Sequence, residues 1–446
     1  MSTRNLGVTR RGFLGGSAAV VAGAVSSGAF GARLGAQMAK PNPTPALPLD
    51  ALKATGSLDE AYWWKVRSHF NIIDGLTFMN NGTFGPVPRH VIEANNRFFL
   101  EVAQDPTNNY RREDVERVRE VVAPFVGASP DEISFTRSTT EGMNLFAHGL
   151  EWQEGDEVLM NRHEHGGGIG PYRALERRRG IKIVWVDFPS PPDDTAQLVA
   201  MYEQAITPRT KVIMISHIPY VTGTTMPIKE ISAMAHRNNV LVSVDGAHPL
   251  GMMDLNFHDL GCDHYAAAGQ KWLLAGTGTG VNYVKLDVQP QVSPLMGGGD
   301  PQDNDSGARI YESYGQRDVP SVLGMEAAVE FHNAIGRANI EARDRALGSR
   351  LRQGLAEIPN VKLWTNDDPA LSCGLTLFSV GDIPMANVVE GIRAYNGVYI
   401  RTMGTGDLNA VRASTAIYNF PHEVDMLLDA VRHIAANAAD YRTTAA

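Results

Sequence analysis

The chain has 446 residues, a formal net charge of −9 at pH 7, 43% hydrophobic residues and 20% charged residues. This composition is typical of a folded protein and excludes a largely disordered one. The acidic balance argues against nucleic acid as a partner, because nucleic-acid binding needs a basic surface, and a small-molecule ligand is expected instead.

The first residues of the chain have the pattern of a targeting signal. A twin arginine, Arg10-Arg11, precedes an uncharged stretch that runs to Ala32. This pattern is typical of twin-arginine export, which predicts a signal segment at residues 1–36 and a periplasmic or exported location. A single membrane anchor is the alternative, because the stretch is near spanning length. Its glycines and serines make it weakly apolar, so no stable membrane span is expected after signal removal.

The remainder of the chain divides into three further segments. A Pro-rich stretch, KPNPTPALP, opens a linker and N-terminal arm at residues 37–70. The length exceeds the range in which one hydrophobic core keeps growing. We therefore predict a large domain at residues 71–324 and a small C-terminal domain at residues 325–446.

Short apolar runs alternate with helical stretches from about residue 130 onward. The predicted strands are EISFT (132–136), DEVLMN (156–161), IKIVWVDF (181–188), KVIMISHI (211–218), VLVSVDGA (240–247) and DHYAAA (263–268). Helices are predicted between them at 138–150, 168–179, 195–206 and 227–239. This alternation predicts an α/β fold with a mostly parallel central sheet, in which ligands bind beyond the carboxyl ends of the strands.

The pattern changes near residue 325. A long helical segment is predicted at 325–357, followed by a strand, CGLTLFSV, at 373–380 and a further strand–helix succession. This order predicts a smaller C-terminal α+β domain.

Asp245 and Lys271 suggest a specific chemistry. Asp245 ends a predicted strand and Lys271 follows the neighbouring one, after a run of alanines. A pyridoxal phosphate enzyme needs such a pair: the lysine holds the aldehyde as a Schiff base, and the aspartate keeps the pyridine nitrogen protonated. Each residue alone has an ordinary interpretation, since Asp245 could cap a turn and Lys271 could extend to the surface.

Four segments in order resemble the class V aminotransferase family of fold-type I pyridoxal phosphate enzymes, over most of residues 70–435. They are FTRSTTEGMNLFAHGL, DGAHPLG, GQKWLLAGTGTGVNYV and VRASTAIYNFPHEVDMLLDAV. The resemblance implies a fold-type I transferase fold, pyridoxal 5′-phosphate as cofactor and Lys271 as its Schiff-base lysine. The GQRD segment at 315–318 is most similar to the isopenicillin N epimerase-like branch.

The resemblance also implies residues that contact the cofactor phosphate and ring. Ser138, Thr139 and Thr140 open a helix whose free N–H groups would hold the phosphate. His165 stands where the family stacks an aromatic ring or histidine on the pyridine. A zinc site at His163 and His165 is the competing interpretation, but their spacing is not helical and no third ligand is evident, so no metal is expected.

Three other implied cofactor residues include departures from the family pattern. His248 occupies the position of a Gln or His near the phenolic oxygen or phosphate. Gln270 replaces the usual phosphate-binding His, and Ala268 replaces a Ser or Thr. Tyr220 stands where many members carry an Asn, and its hydroxyl could make a similar hydrogen bond.

The remaining implied residues concern the substrate and a second chain. Arg412 matches the carboxylate-binding arginine, whose planar fork suits bidentate recognition. Asn81 lies in the NNGTFGP turn that reaches the substrate pocket. Gln316 lies in a segment that crosses to the neighbouring cofactor in family dimers, so a homodimer is expected.

The resemblance implies that members of this family share the first steps of their reactions, so the side chains of the pocket must determine which reaction follows. Cysteine desulfurases use a cysteine on the loop before the closing arginine, but here this loop, YIRTMGTGDLNAVRAS, has none. Cys262 and Cys373 lie elsewhere, and a single bridge between them stays possible. Transamination of an amino acid or peptide-borne amine is therefore expected first, with epimerisation or a lyase-type elimination as alternatives. Binding of the cofactor or a peptide without turnover is the alternative from another class.

Overall fold

The computed structural model describes most of the chain beyond the predicted signal. The described residues are 46–53, 58–296, 304–405 and 408–442. They belong to one unit that begins at Ala46. The predicted twin-arginine signal, residues 1–36, lies outside the described residues. None of the helices in this part of the chain is long and apolar enough to cross a membrane.

The elements alternate as the sequence predicts. The strands are β1 (Thr77–Phe78), β2 (Ile133–Thr136), β3 (Glu157–Asn161), β4 (Lys182–Val186), β5 (Thr210–Ser216), β6 (Leu241–Gly246), β7 (His264–Ala268), β8 (Gly280–Val284), β9 (Val361–Leu363), β10 (Leu375–Val380), β11 (Val398–Tyr399), β12 (Arg401–Thr405) and β13 (Leu408–Ser414). The helices are α1 (Glu60–Arg67), α2 (Arg89–Gln104), α3 (Arg112–Phe125), α4 (Thr139–Gly149), α5 (Gly166–Arg179), α6 (Thr195–Ala205), α7 (Ile228–Arg237), α8 (Phe257–Leu260), α9 (Val319–Ile335), α10 (Arg337–Ala356), α11 (Met385–Asn396), α12 (Pro421–Ala436) and α13 (Ala438–Arg442).

The larger sheet has seven strands in the order β2-β8-β7-β6-β5-β3-β4. Its strands from β7 through β6, β5 and β3 to β4 pair in parallel, and β8 is antiparallel to both of its neighbours. The carboxyl ends of β2, β3, β5, β6 and β7 therefore lie at the same edge of the sheet. The predicted α/β fold with a mostly parallel central sheet is confirmed.

The central strands are buried on both faces, which explains their continuous apolar character. Every residue of β7 is buried, and α4 packs directly on it. At Gly142 of α4 an added Cβ would lie 2.7 Å from the Cβ of Ala266 in β7, so a larger residue would push the helix off the sheet. This close packing fixes the start of α4 relative to the end of β7, where the predicted lysine follows.

A second sheet of four antiparallel strands follows in the order β12-β13-β10-β9. The chain that follows the predicted N-terminal arm joins this part of the molecule, because β1 pairs in parallel with β11 and Asn80 forms a bridge with Ser414. The turn after β1 is therefore held beside β13. The domain division predicted at residue 325 lies within α9 and stays a prediction.

The long helical segment predicted at 325–357 is two helices. α9 ends at Ile335 and α10 begins at Arg337, and Gly336 between them has a φ of +93°. This conformation is accessible to glycine but breaks a right-handed helix. The predicted segment is therefore helical, but it is interrupted at Gly336, because an isolated glycine in a helical sequence pattern does not reveal its dihedral angles.

Candidate active site

The predicted cofactor residues come together at one edge of the larger sheet. β2 leads into Ser138, β3 leads toward His165, β5 leads toward Tyr220, β6 contains Asp245 and β7 leads into the segment with Lys271. Because these strands share a direction, their carboxyl ends form one surface, which is where ligands bind in sheets of this kind.

The main chain around Lys271 is tightly held. Gly85 donates its N–H to the carbonyl of Gln270 at 3.0 Å, and Asn81 Nδ2 donates to the carbonyl of Lys271 at 3.5 Å. A Cβ added at Gly85 would lie 2.1 Å from the Lys271 carbonyl oxygen. The turn after β1 therefore packs against the lysine segment and fixes the position from which the side chain extends.

The electrostatic surroundings favour a neutral amine on Lys271. Burial lowers the pKa of Lys271 from its ordinary value to about 8. The carboxylate of Asp245 opposes this shift, and the charges of Arg412 and Arg401 add to it. An amine with this pKa is partly deprotonated near neutral pH, as a nucleophile that attacks an aldehyde must be.

Asp245 is a buried carboxylate at the end of β6. Its Oδ1 accepts the N–H of Ala247 at 3.1 Å, and its side chain is 4% exposed in the described structure. Burial raises its pKa, while the charges of Lys271 and His165 and the Ala247 N–H oppose the shift. A cationic ring nitrogen is the kind of partner that would stabilise this carboxylate in its ionised form.

His248 is held in one tautomer by Trp272. The indole Nε1–H of Trp272 donates to His248 Nδ1 at 3.2 Å, so the proton of the neutral ring is on Nε2. Burial lowers the pKa of His248 well below its ordinary value, with further contributions from the Lys271 and Arg412 charges. Its buried Nε2 has no partner among the described residues. His248 therefore presents a neutral N–H donor.

The start of α4 supplies a site for an anion. Ser138 is the N-cap, and its hydroxyl accepts the N–H of Glu141 at 3.3 Å. The Thr139 hydroxyl is buried with no partner in the described structure, and the Gln270 Oε1 is in the same situation. Thr140 is exposed at the helix start. Free N–H groups and hydroxyls at a helix N-terminus are suited to a phosphate.

His165 and Tyr220 are in contact near this edge of the sheet. His165 is the N-cap of α5 and accepts the Gly167 N–H on Nδ1 at 3.0 Å. Its ring lies edge-on to the ring of Tyr220, with centroids 5.1 Å apart. Burial lowers the pKa of His165, and the Lys271 charge contributes, while Asp245 opposes. Contact with a cofactor ring stays a prediction for both residues. Among the described residues, no group of three or more metal-binding side chains occurs.

Arg412 is deeply buried in β13, with 1% of its surface exposed. Its Nη1 donates to the carbonyl of Tyr220 at 2.6 Å, and its Nη2 donates to Thr83 Oγ1 at 3.4 Å. A Cβ at Gly82 would lie 2.9 Å from Arg412 Nη2, so the glycine gives the guanidinium its space. The Nε of Arg412 is buried without a partner in the described structure.

Asn81 lies between the Lys271 segment and the segment that follows β13. Its Nδ2 donates to the Lys271 carbonyl, and its Oδ1 accepts the hydroxyl of Tyr418 at 3.0 Å. The side-chain amide thus links the lysine segment to the segment after β13. Contact between Asn81 and a substrate stays a prediction.

Gln316 is exposed in the single chain and follows Gly315, whose φ is +92°. The structure brings it to none of the side chains named above by a hydrogen bond or ring contact. Its predicted role at a neighbouring chain's cofactor stays a prediction. The two cysteines, Cys262 and Cys373, are both buried free thiols, and burial raises the pKa of each.

Sequence reasoning missed Glu164, which lies buried between two histidines after β3. Its carboxylate accepts the Ser216 N–H at 2.9 and 3.0 Å and also contacts the Ser216 hydroxyl and Asn161 Nδ2. Burial raises its pKa to about 8, and the nearby Asp245 charge acts in the same direction. Glu164 ties the end of β3 to the end of β5. An acidic residue directly after an apolar strand was the available signal.

Sequence reasoning also missed three residues that support those it predicted. Trp272 orients His248, while Thr83 and Arg401 lie beside Arg412: Arg401 pairs with Arg412 across the β12–β13 hairpin and donates to Thr83 Oγ1 at 3.0 Å. The sequence signal for this pairing was weak, because the register of a hairpin depends on where its turn lies.

Several buried polar atoms of these residues lack partners in the described structure and fit a cofactor with a phosphate and a polar ring. They are Thr139 Oγ1, His248 Nε2 and Gln270 Oε1. Buried polar atoms without partners cost free energy unless a ligand or water satisfies them. The start of α4 fits a phosphate, Asp245 fits a cationic ring nitrogen, and Lys271 fits an aldehyde. The fold and the site together define a fold-type I pyridoxal phosphate enzyme.

The chain belongs to the aminotransferase class-V family, whose model matches residues 78–427. It is 29% identical over 389 residues to isopenicillin N epimerase from Streptomyces clavuligerus. The alignment covers 83% of this chain and 98% of that protein. It is 27% identical over 396 residues to a probable cysteine desulfurase from Methanothermobacter thermautotrophicus. This alignment covers 83% of this chain and 97% of the relative.

Solved structures agree with this assignment. A lysine-to-alanine mutant of C-DES with glycine covalently linked to its pyridoxal phosphate cofactor matches with a TM-score of 0.73 and 25% identity, over 82% of this chain and 98% of that one. The complex of the cystine C–S lyase C-DES with cysteine persulfide matches with the same TM-score and identity, over 80% and 98%. The fold-type I class and the pyridoxal phosphate cofactor predicted from the sequence are confirmed.

Proposed function

We propose that the protein is an exported pyridoxal phosphate enzyme that acts at the α-carbon of an amino acid or peptide-borne amine as an aminotransferase. The observation that carries the proposal is the amine of Lys271, with its pKa lowered to about 8 beside the buried carboxylate of Asp245. A transaminase can use one such base, whereas an epimerase needs an acid–base group on each face of the substrate.

The chain's own residues have distinct tasks in this proposal. The bound cofactor supplies an electron sink for negative charge at the substrate's α-carbon. The Lys271 amine holds and moves the proton of that carbon, and the Asp245 carboxylate balances a cationic ring nitrogen. Arg412 binds the substrate carboxylate through its guanidinium and so fixes which bond of the α-carbon faces the lysine.

Persulfide chemistry has little support in this chain. The β12–β13 hairpin carries no cysteine, and both thiols are buried elsewhere with raised pKa values. A cysteine desulfurase needs an accessible thiolate as nucleophile. Lyase-type elimination without a thiol stays an alternative, because C-DES is named a C–S lyase.

Epimerisation is the second candidate. The similarity to isopenicillin N epimerase over 83% of the chain favours it. Tyr220, whose ring lies against His165, is the candidate for a second proton-transfer group. Conversion of Tyr220 to Phe would then abolish inversion at the α-carbon.

The reaction is tested by incubating the pyridoxal phosphate-loaded protein with candidate amino donors in deuterium oxide. Transamination predicts an oxo product in amounts equal to the amine consumed. Deuterium at the α-carbon with inversion, and no oxo product, would replace the aminotransferase assignment by epimerisation. The Lys271→Ala protein is the control, in which either product must disappear.

We infer export from the Arg10-Arg11 pair and the uncharged stretch after it. A reporter protein fused behind residues 1–40 is expected to reach the periplasm and to lose this localisation with Arg10→Lys plus Arg11→Lys. Unchanged export of the double variant would contradict the twin-arginine route.

We further infer a homodimer, supported by the exposed Gln316 segment and its resemblance to a segment that crosses between subunits. Light scattering of the purified protein is expected to give twice the chain mass. A monomer with full cofactor occupancy would contradict this inference.

A further inference from the structure

Two arginines lie side by side at the substrate end of the site. Arg401 and Arg412 are direct partners across β12 and β13. Arg401 Nη1 donates to Thr83 Oγ1 at 3.0 Å, and Arg412 Nη2 donates to the same oxygen at 3.4 Å. Because one hydroxyl oxygen receives both donors, the two guanidinium groups border one small volume.

No acidic side chain in the described part of the chain forms an ion pair with either arginine. Other buried arginines have such partners: Arg119 contacts Glu312 at 2.6 Å, and Arg352 contacts Asp367 at 2.9 Å. Arg412 is as buried as these and has a like charge as its neighbour. A buried cation without an ion-pair partner and beside another cation is costly, so Arg412 points to an anionic group supplied by a ligand.

The two arginines differ in exposure. Arg412 is 1% exposed and keeps a buried Nε without a partner in the described structure, whereas Arg401 is exposed at the rim. The inner guanidinium therefore suits the carboxylate next to the reacting carbon. The outer one lies where a substituent of the substrate would leave the pocket.

We propose that Arg401 is a specificity-determining residue and that the substrate brings two negatively charged groups to this hairpin: its α-carboxylate on Arg412 and a second carboxylate on Arg401. This proposal rests on the proposed action at an amino acid α-carbon and names the substrate class as acidic amino acids or peptide-borne amines with a nearby second carboxylate. Thr83 positions both guanidinium groups. Its hydroxyl oxygen accepts a hydrogen bond from each of them, and its hydroxyl proton is donated to Asn80 Oδ1 at 2.9 Å.

The test uses ligands that lack an amino group, so that binding is measured without reaction. The pyridoxal phosphate-loaded protein is titrated calorimetrically with glutarate and with its monoamide, glutaramate, which have the same length and differ by one charge. We expect glutarate to bind roughly tenfold tighter or more, as a charge-assisted contact provides. Arg401→Gln is expected to remove this preference and to leave glutaramate binding within a factor of about three.

The matched control is Arg393→Gln. Arg393 is an exposed arginine of α11 whose guanidinium lies 6.0 Å from the ring centre of Tyr399. This variant is expected to keep the wild-type preference for glutarate. The visible absorbance of the bound cofactor, recorded in every sample, shows separately that the cofactor site is intact, so loss of the proposed function and loss of this specificity are distinguishable.

Four results would overturn the proposal. Equal affinities of the wild-type protein for glutarate and glutaramate would remove its basis, as would failure of the cofactor-loaded protein to bind either acid. Equal weakening of both ligands by Arg401→Gln would mean that one carboxylate is held by both arginines. A change in subunit association with unaltered glutarate preference would mean that Arg401 pairs with a second chain.

Discussion

Lys271 combines a fixed backbone position with a lowered amine pKa, and both properties suit covalent attachment of an aldehyde. Its segment is packed against Gly85 so closely that a Cβ there would clash with the Lys271 carbonyl. The side chain is thus directed from a fixed backbone into surroundings that lower the pKa of its amine to about 8. The lowered pKa of Lys271 destabilises the folded protein, because the unfolded chain binds the proton of this amine more tightly. A destabilising group of this kind at the edge of the sheet indicates a functional site.

The pKa of Lys271 predicts the pH dependence of cofactor uptake. Only the neutral amine attacks an aldehyde, so the rate at which the apoprotein binds pyridoxal phosphate covalently should rise with pH through a midpoint of about 8. Stopped-flow absorbance at fixed cofactor concentration measures this rate. A midpoint near the ordinary lysine value would contradict the low-pKa environment. Lys271→Ala should show no covalent uptake at any pH.

Trp272 is predicted to act through His248. Trp272→Phe keeps an aromatic ring but removes the N–H that donates to His248 Nδ1 at 3.2 Å. The imidazole then loses its preferred tautomer, and we expect roughly three- to tenfold weaker cofactor binding, as the loss of one oriented hydrogen bond implies. Nitrogen NMR of labelled His248 should show mixed tautomers in the variant and one tautomer in the wild type. A single unchanged tautomer in the variant would contradict this role.

At the level of elements, the starts of α4 and α5 lie against each other at the edge of the sheet where the cofactor phosphate is predicted to bind. The first residues of α5 are glycines, and they allow its backbone to approach α4. A Cβ at Gly167 would lie 2.4 Å from Thr140 Oγ1 and 3.2 Å from His165 Nδ1, whereas a Cβ at Gly166 meets nothing within 4 Å. A side chain at position 167 would have to displace the Thr140 hydroxyl, whereas a side chain at position 166 would displace nothing.

This difference gives a matched pair of variants. Gly167→Ala should force the Thr140 hydroxyl away from the helix start and weaken pyridoxal phosphate binding roughly threefold to tenfold. Gly166→Ala should leave binding unchanged and stabilise the helix by about 0.5–1 kcal/mol, because alanine loses less entropy there. Cofactor titration and thermal unfolding of both proteins measure these effects. Equal cofactor affinity of the two variants would contradict the cradle formed by α4 and α5.

The order of strands and helices from β2 to β7 could be predicted from the sequence, and the contacts between side chains could not. Alternating apolar runs predict β2 through β7, because strands buried on both faces have few polar residues. Asp245 and Lys271 could be predicted from their places at the carboxyl ends of neighbouring strands, and the other site residues only from the resemblance to the family. The pairing of Arg401 with Arg412 depends on hairpin register, the tautomer of His248 depends on a side chain 24 positions away, and the break at Gly336 depends on a dihedral angle. These features are tertiary and leave only weak local signals.

At the level of the whole molecule, Asp344 is a buried acid that forms no ion pair among the described residues. Asp344 in α10 is 1% exposed, and its Oδ1 has no partner in the described structure. The neighbouring Arg343 is engaged by Glu60 at 2.6 Å. Burial raises the pKa of Asp344 well above its ordinary value, and the Arg343 charge only partly opposes this. The folded protein therefore holds a proton that the unfolded chain releases.

The sign of this effect on stability follows from linkage. A carboxyl group with a raised pKa in the folded state stabilises the fold fully below its unfolded pKa of about 4 and loses that contribution as pH rises through its folded pKa. Asp344→Asn should thus raise the thermal midpoint, increasingly so from about pH 5 to pH 8, by an amount corresponding to about 1–3 kcal/mol. Glu357→Gln, an exposed acid at the end of the same helix, should show no such trend. A constant difference across pH would contradict an uncharged Asp344.

Every role proposed for the site depends on attachment of pyridoxal phosphate to Lys271, which can be measured by chemical trapping. The protein is mixed with pyridoxal phosphate, the adduct is reduced with borohydride, and the tryptic peptides are analysed by mass spectrometry. We expect a single pyridoxyl modification on Lys271, with visible absorbance before reduction that is absent from Lys271→Ala. Modification of other lysines in its place, or no modification of Lys271, would show that Lys271 is not the attachment site.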